Sequence, residues 1–111
     1  MQLNSRRQLV VGNWKMNGDK TLVEQMQRQF AAASLDNVDV VICPPLLYLG
    51  LFDGKVKLGA QNISQFVSGA HTGEVSVAMV KEFNCQYVIV GHSERRADNN
   101  ESDELVALKV E

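Results

Sequence analysis

Tyr87-Val88-Ile89-Val90-Gly91-His92-Ser93-Glu94-Arg95-Arg96 changes character once, between residues 90 and 91. The first four residues are apolar, with no alternation of polar and apolar positions. That is the pattern of a strand covered on both faces, as strands in parallel sheets are. The next six open on a glycine and are otherwise polar or charged. In parallel α/β sheets, functional groups collect where the carboxyl ends of the strands emerge. The stretch therefore reads as a buried strand delivering His92 and Glu94 to such a site.

Three further runs have the same β-branched, apolar character: Leu9-Val10-Val11, residues 38–43 and residues 56–60. The first runs into Gly12-Asn13-Trp14-Lys15 and the third into Gln61-Asn62. Pro44-Pro45 stops the second. Helical patterns fill the intervals. Thr21-Leu22-Val23-Glu24 fits a capping box, and Leu22, Met26 and Phe30 then recur every fourth residue beside Val23, as on one face of an amphipathic helix. A short helix is expected over 46–52, ending near Gly54, and a third over 76–83 with Val77, Val80 and Phe83 inward. Ser102, followed by Asp103 and Glu104, caps a fourth. The order β-α-β-α-β-α-β-α implies parallel units joined by crossovers. It leaves two architectures open, a doubly wound sheet or part of a (β/α)₈ barrel.

Composition narrows the partners. The chain has 111 residues, 45% hydrophobic and 22% charged, as in an ordinary globular domain. Eleven basic residues against 13 acidic ones leave a net charge of -2, which gives no reason to expect nucleic acid or an anionic membrane. Ser5-Arg6-Arg7 has the look of a twin-arginine export signal, but such a signal needs about 7–15 apolar residues next. Leu9-Val10-Val11 ends at Gly12 instead. No run nears the roughly 18 apolar residues of a membrane helix, so a cytoplasmic protein is expected. Cys43 and Cys85 read as structural thiols, and neither has a zinc-ligand neighbour at ligand spacing, so no metal site is expected.

Among the polar residues at the strand exits, Asn13, Lys15, Asn62, His92 and Glu94 would face one mouth. A lysine and a histidine converging there suit an anionic substrate whose charge grows during reaction. Other motifs fail. Five residues intervene between Gly12 and Gly18 where a P-loop has four, and Asp19 separates Gly18 from Lys20, so the P-loop spacing is missed. No Gly-x-Gly-x-x-Gly or Gly-x-Ser-x-Gly follows a strand, and Ser93 beside His92 is not a catalytic pair by adjacency.

Taken in order, Gly12-Asn13-Trp14-Lys15-Met16-Asn17, Leu58-Gly59-Ala60-Gln61-Asn62, Ser68-Gly69-Ala70-His71-Thr72-Gly73-Glu74 and Gly91-His92-Ser93-Glu94-Arg95-Arg96 closely resemble the triosephosphate isomerase family. Glu101-Ser102-Asp103-Glu104 also fits, so the resemblance runs from Val11 to Glu104. It implies the N-terminal half of a (β/α)₈ barrel: four parallel β/α units, with residues 1–111 a partial barrel domain that stops in or after its fourth helix. A whole barrel needs about 250 residues.

The resemblance further implies roles. Asn13 and Lys15 bind substrate, Lys15 offsetting phosphosugar charge. His92 polarises the carbonyl, and the family is itself a standard illustration of a catalytic histidine that works neutral. The sequence offers a helix start after Gly91, with Ser93 as its cap. Glu94 is the carboxylate beside Lys15 and His92. Gln61, Asn62 and Thr72 belong to a segment that reaches a partner subunit, and Arg95 with Glu101 forms a structural ion pair. His71 departs from the family, which usually carries an aromatic ring there. The implied reaction interconverts dihydroxyacetone phosphate and glyceraldehyde 3-phosphate through an enediolate, without cofactor. It belongs to glycolysis and gluconeogenesis, with a link to pentose phosphate metabolism, and is run by a homodimer. The base, a glutamate after the sixth strand, has no counterpart in these residues. Two alternatives remain open at this point: a non-catalytic half-barrel with a phosphate-binding or assembly role, and a different phosphosugar enzyme on a related barrel.

Overall fold

The computed structural model describes residues 7–34, 36–54 and 56–111. Ser5 and Arg6, on which the export-signal test partly rests, lie outside the described residues. The elements in order are β1 (Gln8–Asn13), α1 (Lys20–Ala32), β2 (Val38–Cys43), a 3₁₀ turn (Leu46–Leu51), β3 (Lys57–Ala60), α2 (Val77–Glu82), β4 (Cys85–Val88), α3 (Ser93–Asn99) and α4 (Asp103–Val110). The four strands form one sheet in the order β1-β2-β3-β4, every neighbour parallel. This alternation of parallel strands with helices is that of the first half of a (β/α)₈ barrel.

The register is regular between β1 and β2, from Gln8 opposite Val38 to Asn13 opposite Cys43. Between β3 and β4 it slips: Leu58 faces Cys85, but Gly59 faces Tyr87, which leaves Gln86 as the extra residue of a bulge. That slip explains where the fourth strand lies. Hydropathy places it at 87–90, whereas pairing starts it at Cys85 and ends it at Val88. Ile89 still donates its N–H to Ala60 O at 2.8 Å, so the chain follows β3 to the rim.

The core lies against the two central strands. Ile42 of β2 and Leu58 and Ala60 of β3 are buried in one cluster with Val23 of α1, Leu49 of the 3₁₀ turn, Ile63 and Val80 of α2, and Val41 and Cys43 of β2 are buried as well. Coverage on both faces holds only there. Leu9, Val10 and Val11 of β1 and Tyr87 and Val88 of β4 are exposed, because edge strands have a neighbour on one side only. Two helix readings also change. Asp19 caps α1, accepting Leu22 N–H at 2.7 Å, so the helix begins before the expected Thr21 cap. Of the expected inward positions on α2 only Val80 is buried; Val77 and Phe83 are exposed. Ser76 and Ser102 cap α2 and α4 as their hydroxyls suggest, accepting from Met79 and Leu105 N–H.

The end of the sheet opposite the rim is pinned by charge. Asp39 Oδ1 is 3.0 Å from Arg7, before β1, and 2.8 Å from Lys57 Nζ, which opens β3. Hydrogen bonds from Arg7 and then Lys57 hold the Asp39 carboxyl down at about 2. Both cysteines are buried free thiols, and burial together with nearby Cys85 pushes Cys43 up to about 11. Among the described residues no helix is long and apolar enough to cross a membrane.

Gly59 is the notch that admits Cys43. A Cβ on Gly59 would stand 2.6 Å from Cys43 Sγ and 3.3 Å from Tyr87 Cβ. Gly59→Ala is expected to destabilise the native protein by about 1–3 kcal/mol, the usual cost of overpacking a filled core. Gly12→Ala, whose Cβ would meet nothing nearer than 3.6 Å, is the comparison. Equal denaturant midpoints for the two variants would refute the close approach. Asp39→Asn is expected to lower the midpoint at neutral pH. The Asp39 carboxyl lies below its ordinary 3.8 when folded, so its contribution is complete above that value and disappears as pH falls through about 2. The gap between variant and parent should therefore close over that acid range, and narrow in high salt.

Candidate active site

β1 ends at Asn13, and the backbone turns sharply at Lys15, which adopts φ +55° in the left-handed region. Asn13 supplies the turn chemistry, its Oδ1 accepting Lys15 N–H at 2.9 Å. With that oxygen occupied, Asn13 offers its amide N–H groups to a ligand. Trp14 N–H donates to Cys43 O, which extends the β1–β2 ladder by one bond, and the Trp14 ring meets Phe52 edge-on with centroids 6.1 Å apart. Trp14 is thus a packing residue.

β4 leads to Gly91 at φ +68°, where a Cβ would stand 2.8 Å from Val106. Only glycine meets both conditions. The next residue, His92, caps α3: its Nδ1 accepts Glu94 N–H at 3.1 Å. The expected cap, Ser93, is instead the first helical residue. The difference matters chemically. An accepting Nδ1 carries no proton, so the neutral ring bears its proton on Nε2, where it can donate to a ligand oxygen.

Asn13, Lys15, Gln61, Asn62, His92 and Glu94 line one cavity of about 280 Å³ at the carboxyl rim. Lys15 Nζ is 2.9 Å from Glu94 Oε2, and His92 Nδ1 is 3.6 Å from Glu94 Oε1. The hydrogen bond from Lys15 lowers the Glu94 carboxyl below its ordinary value against a smaller opposing effect of burial. Glu94 is therefore an anion at neutral pH, paired with a lysine that is half exposed. Three donors, from Asn13, Lys15 and His92, surround a space large enough for a small anion. Such a set can bind a phosphorylated molecule and stabilise an oxygen that gains charge. Among the described residues, no group of three or more His, Cys, Asp or Glu is placed to hold a metal ion.

Thr72 is not part of this cavity. It sits on the exposed loop after β3, near His71, whose ring stacks on Phe66 at 3.8 Å and an interplanar angle of 2°. Gln61 and Asn62 spend polar atoms within the chain. Gln61 Nε2 donates to Lys15 O and Cys43 O, and Asn62 Oδ1 accepts from Lys109 Nζ at 2.8 Å.

The expected Arg95–Glu101 pair is present at 2.9 Å, and Lys109 joins it at 2.5 Å. Burial raises the Glu101 carboxyl, but the hydrogen bonds from Lys109 and Arg95 outweigh it, and the net shift is downward. Sequence reasoning missed Lys109. A lysine in the last helical turn reads as a dipole partner in solvent, and nothing in its neighbours signals that it is buried.

The triosephosphate isomerase family model matches residues 8–111. The chain is 48% identical over 112 residues to a triosephosphate isomerase of Alkalilimnicola ehrlichii, covering 96% of this chain and 45% of that protein. A Marinobacter nauticus triosephosphate isomerase gives 48% identity with the same coverage, and a Coxiella burnetii one gives 45% over 95% of this chain and 44% of its own length. The chain thus spans a little under half the length of these relatives. With the ordered strand-exit motifs and the cavity they line, this places the chain in the triosephosphate isomerase family.

Proposed function

We propose that the protein carrying this chain interconverts dihydroxyacetone phosphate and D-glyceraldehyde 3-phosphate in glycolysis and gluconeogenesis, in the cytoplasm and without a cofactor. The observation that carries the reading is the meeting of Lys15, Glu94 and His92 around one cavity of about 280 Å³, with Lys15 and Glu94 2.9 Å apart. Proton removal beside a carbonyl builds negative charge on the carbonyl oxygen. The Nε2–H of His92 answers that charge by donating to it, a neutral donor matched to an enediolate oxygen. Lys15 and the amide of Asn13 hold the phosphosugar, and Glu94 fixes the ammonium group until substrate arrives. In this reading the carboxylate base lies outside residues 1–111.

We further infer that the working protein is a homodimer. Leu46, Leu47, Met79 and Phe83 line an apolar groove of about 380 Å³ and are all substantially exposed, and Val67 on the loop carrying Thr72 is 85% exposed. Exposed apolar surface of this extent on one side of a chain favours association. Gln61, Asn62 and Thr72 belong to the segment that would reach the partner.

The native protein should convert glyceraldehyde 3-phosphate in a coupled assay with added reductase and nicotinamide cofactor. His92→Gln should lower kcat by about 10²–10³-fold, the usual cost of one oxyanion donor. Lys15→Met should lower kcat/KM by at least as much. Residues 1–111 alone should give no turnover above background. Turnover by that piece would place the base within it, and an inactive native protein would favour the phosphate-binding half-barrel. Sedimentation of the native protein should give twice the mass of its chain, and Leu47→Asp should shift it to the monomer; a monomeric parent would end the dimer reading.

A further inference from the structure

Gln61 follows β3, and its side chain reaches back to the exits of both β1 and β2. Its side-chain nitrogen donates to Lys15 O and to Cys43 O, both at 2.9 Å, so both of its N–H groups go to backbone carbonyls. Lys15 is the residue whose backbone needs holding. A non-glycine residue in the left-handed region costs roughly 1–2 kcal/mol, and it persists only where its surroundings fix it. Here Asn13 Oδ1 takes the Lys15 N–H from the β1 side and Gln61 takes the Lys15 C=O from the β3 side. Cys43 O accepts from both Gln61 and Trp14, which ties this turn to the end of β2. The turn at Lys15 aims Nζ at Glu94, 2.9 Å away.

We propose that Gln61 is a positioning residue for catalysis: its amide clamps the strained backbone of Lys15 and so sets where the ammonium group meets substrate. The proposal rests on the isomerase reading for its catalytic consequence, while the clamp itself stands on geometry. Placement errors near 1 Å can cost about 10²-fold in rate. Gln61 therefore acts through Lys15, and its loss should be felt only where Lys15 is present.

The test is a double-mutant cycle in the native protein, read as kcat/KM for glyceraldehyde 3-phosphate. Gln61→Met, of similar length and without donors, should lose about 10–100-fold in the parent and under about 3-fold in a Lys15→Met background. An equal loss in both backgrounds is the mark of a merely structural residue and would overturn the proposal. Gln61→Glu keeps the shape and can donate to one carbonyl only when protonated. Its deficit should shrink as pH falls, and this second variant serves if Gln61→Met does not fold. Independently of activity, hydrogen exchange at the Lys15 amide should speed up about 10-fold or more in a folded variant, while Val41 and Ile42 amides stay protected. Unchanged exchange at Lys15 refutes the clamp. If the native protein has no isomerase activity, the functional reading fails, and the exchange measurement alone decides the clamp.

Discussion

Because β1 to β4 pair in parallel and in sequential order, every carboxyl end of the sheet lies on one rim. All else at the site follows from that constraint. Asn13 and Lys15 arrive from β1, Gln61 and Asn62 from β3, and His92 and Glu94 from β4, with the closed end of β2 supplying a backbone carbonyl between them. No two of these pairs are near in sequence. They meet because the parallel register sets the strand ends side by side, Asn13 opposite Cys43 and Ala60 opposite Val88. The bulge at Gln86 adjusts the last of the three, letting β4 follow β3 to the rim despite the notch at Gly59.

Burial in the sheet is set against strain at the rim. Lys15, Gly91 and Gly18 all have positive φ, and each sits where the chain must reverse within a few residues of a strand or helix. The glycines bear this without a steric cost, whereas Lys15 does not. Its conformation is held by two amide side chains acting on the two polar groups of one residue. The paired carboxylate of Glu94 then settles the other end of the lysine. Backbone and ammonium group are fixed by different residues, so charge on a ligand can draw Nζ from Glu94 while the turn stays in place.

How much of this was legible in the sequence depends on range. Apolar runs before glycine-led polar clusters were enough to mark four parallel strands and to bring forward Asn13, Lys15, His92 and Glu94. Caps were less secure, because several residues compete for one amide. Asp19 wins over Thr21, since its carboxylate reaches Leu22 N–H, and His92 wins over Ser93, since its ring already faces the first turn of α3. Phe83 misled for another reason. Its spacing from Val80 is helical, but α2 ends at Glu82, and the ring lies over Gly50 on the outside of the fold. Periodicity reports which residues share a face, not which faces find a neighbour.

The least legible feature is Lys109, and it ties the greatest distances together. Glu101 and Lys109 are 2% and 3% exposed at their side chains, and Lys109 also reaches Asn62 beyond the end of β3. Only one carboxylate oxygen is used: Oε2 takes both Arg95 and Lys109, and Oε1 is buried without a partner among the described residues. A buried ion pair of this kind adds little net stability over apolar packing, because desolvation consumes most of the attraction. Its effect lies in specificity. Losing one partner strands a charge in a place that water does not reach, at a cost of about 3–5 kcal/mol, so α3, α4 and the β3 exit are held to a single arrangement. Arg95 lies three residues after His92 in the helix that His92 caps, and Asn62 adjoins the Gln61 that holds Lys15. The same buried charge thus braces the supports of both His92 and Lys15 from behind, and electrostatics between residues so far apart in the chain leave no periodic trace in a sequence.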